Sequence, residues 1–338
     1  MKLRIDRAGP LMTLQDLGRN GYVGQGLSRG GAADRLALFE AAALLGRKDV
    51  TPAIEMAGMG GAFSVDQAVQ FALTGAPMGA TIDGAPVAWN TSYVLLPGQV
   101  LTLGGVQKGV YGYLTFAPDL LDATWLGSAS VHLQAGVGRV LAGGDVLTFA
   151  DAADPGSSMT LQADNRFQGG NIRVMPGPQT DLFDADMQAR FGATDFVRGA
   201  QANRQGVRIE QNGAPFGTAL AAGLASDFIR PGDIQMTGEG VPYVLLAESQ
   251  TMGGYPRIGT VIAADLPRIA QAPVGAKLSF DWVSLDQADA LAQSDANVLR
   301  SLRSKVQTLL RDPADIADLL SYQLISGVSA GHDEMDLT

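Results

Sequence analysis

Glycine and proline interrupt this chain so often that it has room for little except short strands. Of 338 residues, 43 are glycine and 16 proline, and nearly all of these fall before residue 284. Between them lie runs rich in Val, Ile, Leu, Phe and Tyr, at 69–74, 93–96, 110–116, 172–175, 207–210, 242–247 and 277–283. Short runs separated by turn signals predict strands of a barrel or sandwich, not alternating strand–helix units. Three stretches carry helical spacing instead. Over 33–45, Leu36, Phe39, Ala43 and Leu44 share one face, and Gly46 stands where a left-handed residue ends a helix. Over 287–310 one stripe runs from Ala288 to Leu309, with a capping-box start at Ser284–Gln287, and Asp312-Pro313 stops it. Pro313 then opens another helix up to Gly327, so the chain closes on a helical pair.

A polar, turn-rich seam over 151–170 divides the chain. Each half begins with a β-like run leading into a Gly/Pro turn, Gly9-Pro10 in the first and Pro176-Gly177-Pro178 in the second. The expected organisation is a β domain over 1–160, a second over 161–285 and a helical extension over 286–338.

Inventory removes several function classes. Cysteine is absent, which excludes disulfides, thiolate nucleophiles and Cys zinc sites. Two histidines, His132 and His332, are too few for a Ser-His-Asp triad plus a metal set, so no metal site is expected. With 24 Lys+Arg against 34 Asp+Glu, the net charge of −10 disfavours nucleic acid and anionic membrane surfaces. No stretch reads as a signal peptide or membrane span, so the expected location is the cytoplasm. None of the five lysines sits in a G-x-x-x-x-G-K-[ST] phosphate loop, and none has the methionine-flanked setting of a biotin carrier. Gly58-Met59-Gly60-Gly61 reads as a turn.

Two segments concentrate hydrogen-bonding groups. Gln15, Asp16 and Arg19 lie in Thr13–Tyr22, where a donor, an acceptor and a planar guanidinium fall within one turn; taken alone, a turn stitched by an Asp–Arg pair explains them slightly better. Gln250, Thr251, Tyr255 and Arg257 follow an apolar strand and share a glycine-containing loop that admits close backbone approach to a ligand, and here a functional role is favoured. Glu55 sits in an apolar strand, facing outward or held by a partner. Arg204 and Gln235 are equally open, and His132 reads as a structural histidine.

The same segments carry a family resemblance. Gly9–Arg19 resembles the opening signature of the KipA / allophanate hydrolase subunit 2 family, which includes the C subunit of 5-oxoprolinase and the carboxyltransferase part of urea carboxylase and urea amidolyase. Gly30-Gly31-Ala32-Ala33-Asp34, Ala53-Ile54-Glu55, Pro176-Gly177-Pro178-Gln179, Pro231–Gln235, Gln250–Arg257 with Asp265 and Ala270-Gln271, and Leu324–Val328 follow in family order. The resemblance implies two cyclophilin-like β-barrel domains and amide-centred chemistry as a hydrolase of cyclic amide C–N bonds. It implies partners: subunit 1 of the same family system (the B subunit of 5-oxoprolinase), the A subunit of that enzyme, and a possible homo-oligomer. ATP would be used by the complex to open 5-oxoproline to glutamate. Alternatives are carboxyl transfer to urea from a partner's carboxybiotin, or a KipA-like regulatory binder. No covalently bound cofactor is expected. The family often has arginine where Tyr111 and Ala129 stand, so this chain lacks two cationic donors and the second half gains weight. Gln250, Thr251, Tyr255 and Arg257 are then the expected catalytic set, with Gln15, Asp16, Arg19, Glu55, Arg204 and Gln235 contacting substrate in a cleft shared by both modules.

Overall fold

The computed structural model describes residues 1–162, 164–217 and 223–309. In the first half two sheets enclose a core. One contains, in spatial order, Val146–Thr148, Lys2–Arg7, Ala62–Val65, Leu101–Val106, Met78–Ile82 and Ala85–Pro86. The other contains Met12–Gln15, Ala53–Ala57, Tyr111–Phe116, Val69–Gly75, Thr91–Leu95, Met159–Thr160 and Gln307–Thr308. Leu3, Ile5, Phe63 and Leu103 from one sheet meet Met12, Phe71, Leu114 and Phe116 from the other. The second half is a closed barrel ordered Gly170–Met175, Arg257–Val261, Asp233–Met236, Pro242–Leu245, Gly206–Glu210, Phe196–Ala202 and Lys277–Trp282, sealed by a parallel pairing of its first and last strands. All seven expected β runs are strands, and the fold is mainly β as read from the punctuation.

Strand alternation decides what lies between the halves. Every residue of Tyr111–Phe116 is buried, which is unusual for a strand with one wet face. Leu114 and Phe116 point into the first core, while Tyr111 and Tyr113 belong to the core of the barrel side. Register places Thr13, Glu55, Tyr113 and Thr74 side by side across four neighbouring strands. With a period of two, these polar residues share one face, and that face looks towards the second half.

Helix α1 (Arg35–Leu44) matches the expected span: the Asp34 carboxylate caps it by accepting from Ala37 N at 3.3 Å, and Gly46 takes φ +65° after its end. Two shorter helices, α2 (Ala185–Ala193) and α3 (Leu266–Gln271), carry no periodic signal long enough to read in advance. α2 contributes Phe191 to a ring cluster with Phe196 and Phe280, centroids 5.1 and 4.9 Å away.

The expected helix over 287–310 is corrected. It is two helices, α4 (Leu285–Leu291) and α5 (Asp295–Arg303), with Ala292 extended between them. The Ser284 capping box forms as read, but Ser294 then caps a new start by accepting from Asn297 N. A serine that satisfies its own helix terminus competes with continuation of the preceding one. Leu299 of α5 packs on Phe39, Ala42 and Ala43 of α1. The helix expected over 313–327 lies outside the described residues.

The seam is not slack chain. Arg166 is 2% exposed; its guanidinium donates to Asp34 at 2.7 Å and to both oxygens of Glu40 at 2.8 and 2.7 Å. Gln271 of α3 reaches across from the barrel side: its Oε1 accepts from Val110 N and Tyr111 N, and its Nε2 donates to Asp34 and to the Tyr111 carbonyl. No described helix is long and apolar enough to cross a membrane.

Candidate functional site

The two halves meet around one guanidinium. Arg204 leaves the barrel between strands Phe196–Ala202 and Gly206–Glu210, and its side chain is 11% exposed. Its Nε donates to Glu248 at 2.6 Å, its Nη1 to Glu55 and its Nη2 to the Gly31 carbonyl at 2.5 Å. One arginine thus binds a carboxylate from each half. Although burial opposes it, Glu55 and Glu248 hold the guanidinium well above its ordinary pKa, so it stays cationic.

The partners of Arg204 are themselves fixed. The second oxygen of Glu55 accepts from Tyr113 Oη at 2.7 Å and from Ala33 N at 2.8 Å, and Tyr113 Oη accepts from Asp34 N at 2.8 Å. The Gly30–Asp34 segment therefore delivers carbonyl and N–H groups to the junction in sequence. Gly31 needs its left-handed φ of +86°, and a Cβ there would lie 2.8 Å from Gly18 N. Glu248 faces His132 Nδ1 at 3.8 Å. That nitrogen accepts from Ala135 N at 3.2 Å, which puts the ring proton on Nε2, 2.8 Å from Ser28 Oγ. Burial pushes the His132 pKa down, so the ring is neutral at pH 7. His132 is structural, as read.

Beside this network lies a cavity of about 390 Å³, within the range of small-ligand sites. Both halves line it: Thr13, Glu55 and Tyr111 from the first, Arg198, Arg204 and Glu248 from the second. Burial, and after it the nearby Glu55, pushes the Tyr111 hydroxyl up to about 12, so it is a neutral phenol. Arg204 keeps N–H groups on both terminal nitrogens beyond those it has spent, and the glutamates beside it keep acceptor capacity. A guanidinium and two carboxylates thus stand together in the lining, groups able to donate to and accept from a planar C(=O)–N–H group.

The residues nominated from sequence divide into three groups. Glu55 and Arg204 line the cavity. Gln15, Asp16 and Arg19 are outside its lining and organise the loops of the first half. Asp16 accepts from Gly18 N, Ser128 Oγ, Ser130 Oγ and Ala129 N; Gln15 donates to Thr13 Oγ1 and the Val131 carbonyl; buried Arg19 donates to the Ser130 carbonyl. Gln235, Gln250, Thr251, Tyr255 and Arg257 form a third group on the barrel, also outside the lining. Arg257 is buried and engaged by Gln179, Asp227, Asp233 and the Phe228 carbonyl. Thr251 is buried, Gln250 exposed and Tyr255 52% exposed. A cleft shared by both modules exists, but its charged wall comes from Glu55, Arg198, Arg204 and Glu248, not from the 250–257 loop. Sequence reading passed over Arg198, although its alternation with buried Phe196 and exposed Val197 places it on the inward register.

Residues 25–282 match the family described as carboxyltransferase domain, subdomain A and B. The chain belongs to that family. Within it, the chain is 36% identical to the C subunit of 5-oxoprolinase from Escherichia coli over 85% of its own length and 93% of that protein. It is 31% identical to the corresponding C subunit from Haemophilus influenzae, over 86% and 94%. The urea carboxylase of Kluyveromyces lactis shares the fold, with a TM-score of 0.77 at 22% identity over 92% of this chain and 31% of that one. Carboxyltransferase-domain membership agrees with the family resemblance read from the sequence, and the matched residues include the motifs from Gly30 to Gln271.

Proposed function

We propose that this chain is the C subunit of a 5-oxoprolinase, the component that seats the cyclic amide in the cavity between its halves. What carries the reading is the near full-length similarity to two proteins of that name, joined to a cavity whose fixed donor–acceptor wall complements a lactam. Amide resonance makes a lactam unreactive, and opening it requires stabilising charge that develops on the carbonyl oxygen. Arg204 is the donor for that oxygen, and Glu55 or Glu248 the acceptor for the ring N–H. Because each of these is locked by its neighbours, the geometry is set before substrate arrives. A triphosphate carries several negative charges, and among the described residues the cavity offers one arginine without a carboxylate partner, a poor match. ATP therefore belongs to partner subunits in this proposal, and the B and A subunits of 5-oxoprolinase are the partners it requires.

Reconstitution with those subunits and ATP is expected to convert 5-oxoproline to glutamate. Glu55→Gln lowers kcat/KM by at least about tenfold in that assay, the size of one lost charge-assisted bond. Absence of turnover with the complete set of subunits overturns the reading. A second reading, carboxyl transfer to an open amide such as urea, draws on the family description. It requires a biotin-bearing partner and bicarbonate, neither of which the lactam reaction needs.

A further inference from the structure

Four ionised side chains line the cavity, two of each sign, yet they do not pair off. Arg204 takes both glutamates. Arg198 is left without a carboxylate: among the described residues no acid lies within ion-pair distance of it. It is 8% exposed, and among the described residues its Nη1 donates only to the adjacent Gly199 carbonyl at 2.8 Å and its Nε has no partner. Tyr111, 6% exposed, lines the same cavity, and its hydroxyl makes no hydrogen bond to any described residue. An unpaired buried cation is among the costlier features a fold can carry, and an anion bound beside it offsets that cost. The backbone holds Arg198 firmly, since its N donates to Ala276 O and its O accepts from Gly275 N, both at 2.9 Å.

We infer that Arg198 and Tyr111 form a carboxylate subsite, which receives an acid group carried by the same small molecule whose amide meets Arg204. This rests on the lactam reading above and deepens it: Arg198 and Tyr111 are the residues that select the acid-bearing lactam over a neutral one. Burial pulls the Arg198 pKa down from its ordinary value, and a bound carboxylate reverses that penalty.

The test is calorimetric titration of the full-length chain, alone and with its partner subunits, using 5-oxoproline and 2-pyrrolidinone, the same lactam without the acid. The wild type binds 5-oxoproline at least about tenfold more tightly, Arg198→Met abolishes that preference, Arg198→Lys restores part of it, and Tyr111→Phe reduces it several-fold. Arg198→Met also melts no lower than the wild type, because it removes an uncompensated buried charge; a purely structural arginine predicts a lower melting temperature. Equal binding of the two lactams by the wild type, or an undiminished preference in Arg198→Met, overturns the subsite. Titration with N-acetylglycine against N-methylacetamide separates this outcome from failure of the parent reading. Arg198-dependent preference for the acid without turnover of 5-oxoproline keeps the subsite and rejects the lactamase assignment. Turnover that is indifferent to Arg198→Met does the reverse.

Discussion

Two buried arginines in the second half invite comparison. Arg204 and Arg257 are similarly enclosed, and each is held by two acids. Arg257 draws all its partners from the barrel side, Gln179, Phe228, Asp227 and Asp233, and closes a loop onto its own scaffold. Arg204 draws one acid from each half and borders an opening. The difference teaches that crowding of functional side chains along a sequence marks a well-knit loop as readily as a site. What distinguishes a site is convergence from separate parts of the chain onto a space, with bonding capacity left over.

The largest expected difference comes from deleting each guanidinium. Arg204→Met strands two carboxylates, Glu55 and Glu248, both 2% exposed, and is expected to cost about 3–5 kcal/mol in urea unfolding, with loss of lactam binding. A cost below about 1 kcal/mol breaks the account of Arg204 as the junction. Arg257→Met is milder, about 1–3 kcal/mol, because Asp233 keeps Thr260 Oγ1 at 2.7 Å and Asp227 is half-exposed. Its KM for 5-oxoproline is expected to stay within about twofold of the wild type. A large rise in KM with little change in stability returns the site to the 250–257 loop.

Tyr113→Phe sharpens the comparison from the first half. The hydroxyl joins Glu55 to the Asp34 N–H, and its removal is expected to cost about 2 kcal/mol, measured by denaturant midpoint. Burial has already pushed this phenol well above its ordinary pKa, so no pH dependence accompanies the loss below pH 10.

The smallest effect concerns His132. Its folded-state pKa lies below the unfolded value near 6.5, so above that pH it contributes no slope. As pH falls through about 6.5 the unfolded chain takes up a proton that the folded ring resists, and stability declines until the folded pKa is passed. Thermal melts between pH 7.5 and 5 are expected to fall more steeply for the wild type than for His132→Gln. Parallel curves place the neutral-imidazole assignment in error.

Much of the fold was legible because it depends on local signals. Gly and Pro mark strand ends by their own φ limits, and the α1 stripe with Gly46 after it announces itself within a dozen residues. The break at Ala292 was not legible, since Ser294 serves equally as an exposed helix residue or as a cap. The site divides the same way. Sequence alone points to Glu55 and Arg204 without deciding their partners, because alternation says which face a residue takes, not what stands opposite.

The sequence by itself determined the β architecture, the absence of thiol and multi-histidine chemistry, and the family, since each follows from residue types and short-range order. Only the tertiary structure decided that residues 149 positions apart, Glu55 and Arg204, share a bond, and that Arg198 meets no acid among the described residues. Charge pairing acts through space over a few ångströms, and closure of one barrel against two sheets sets those distances, which no spacing along the chain encodes.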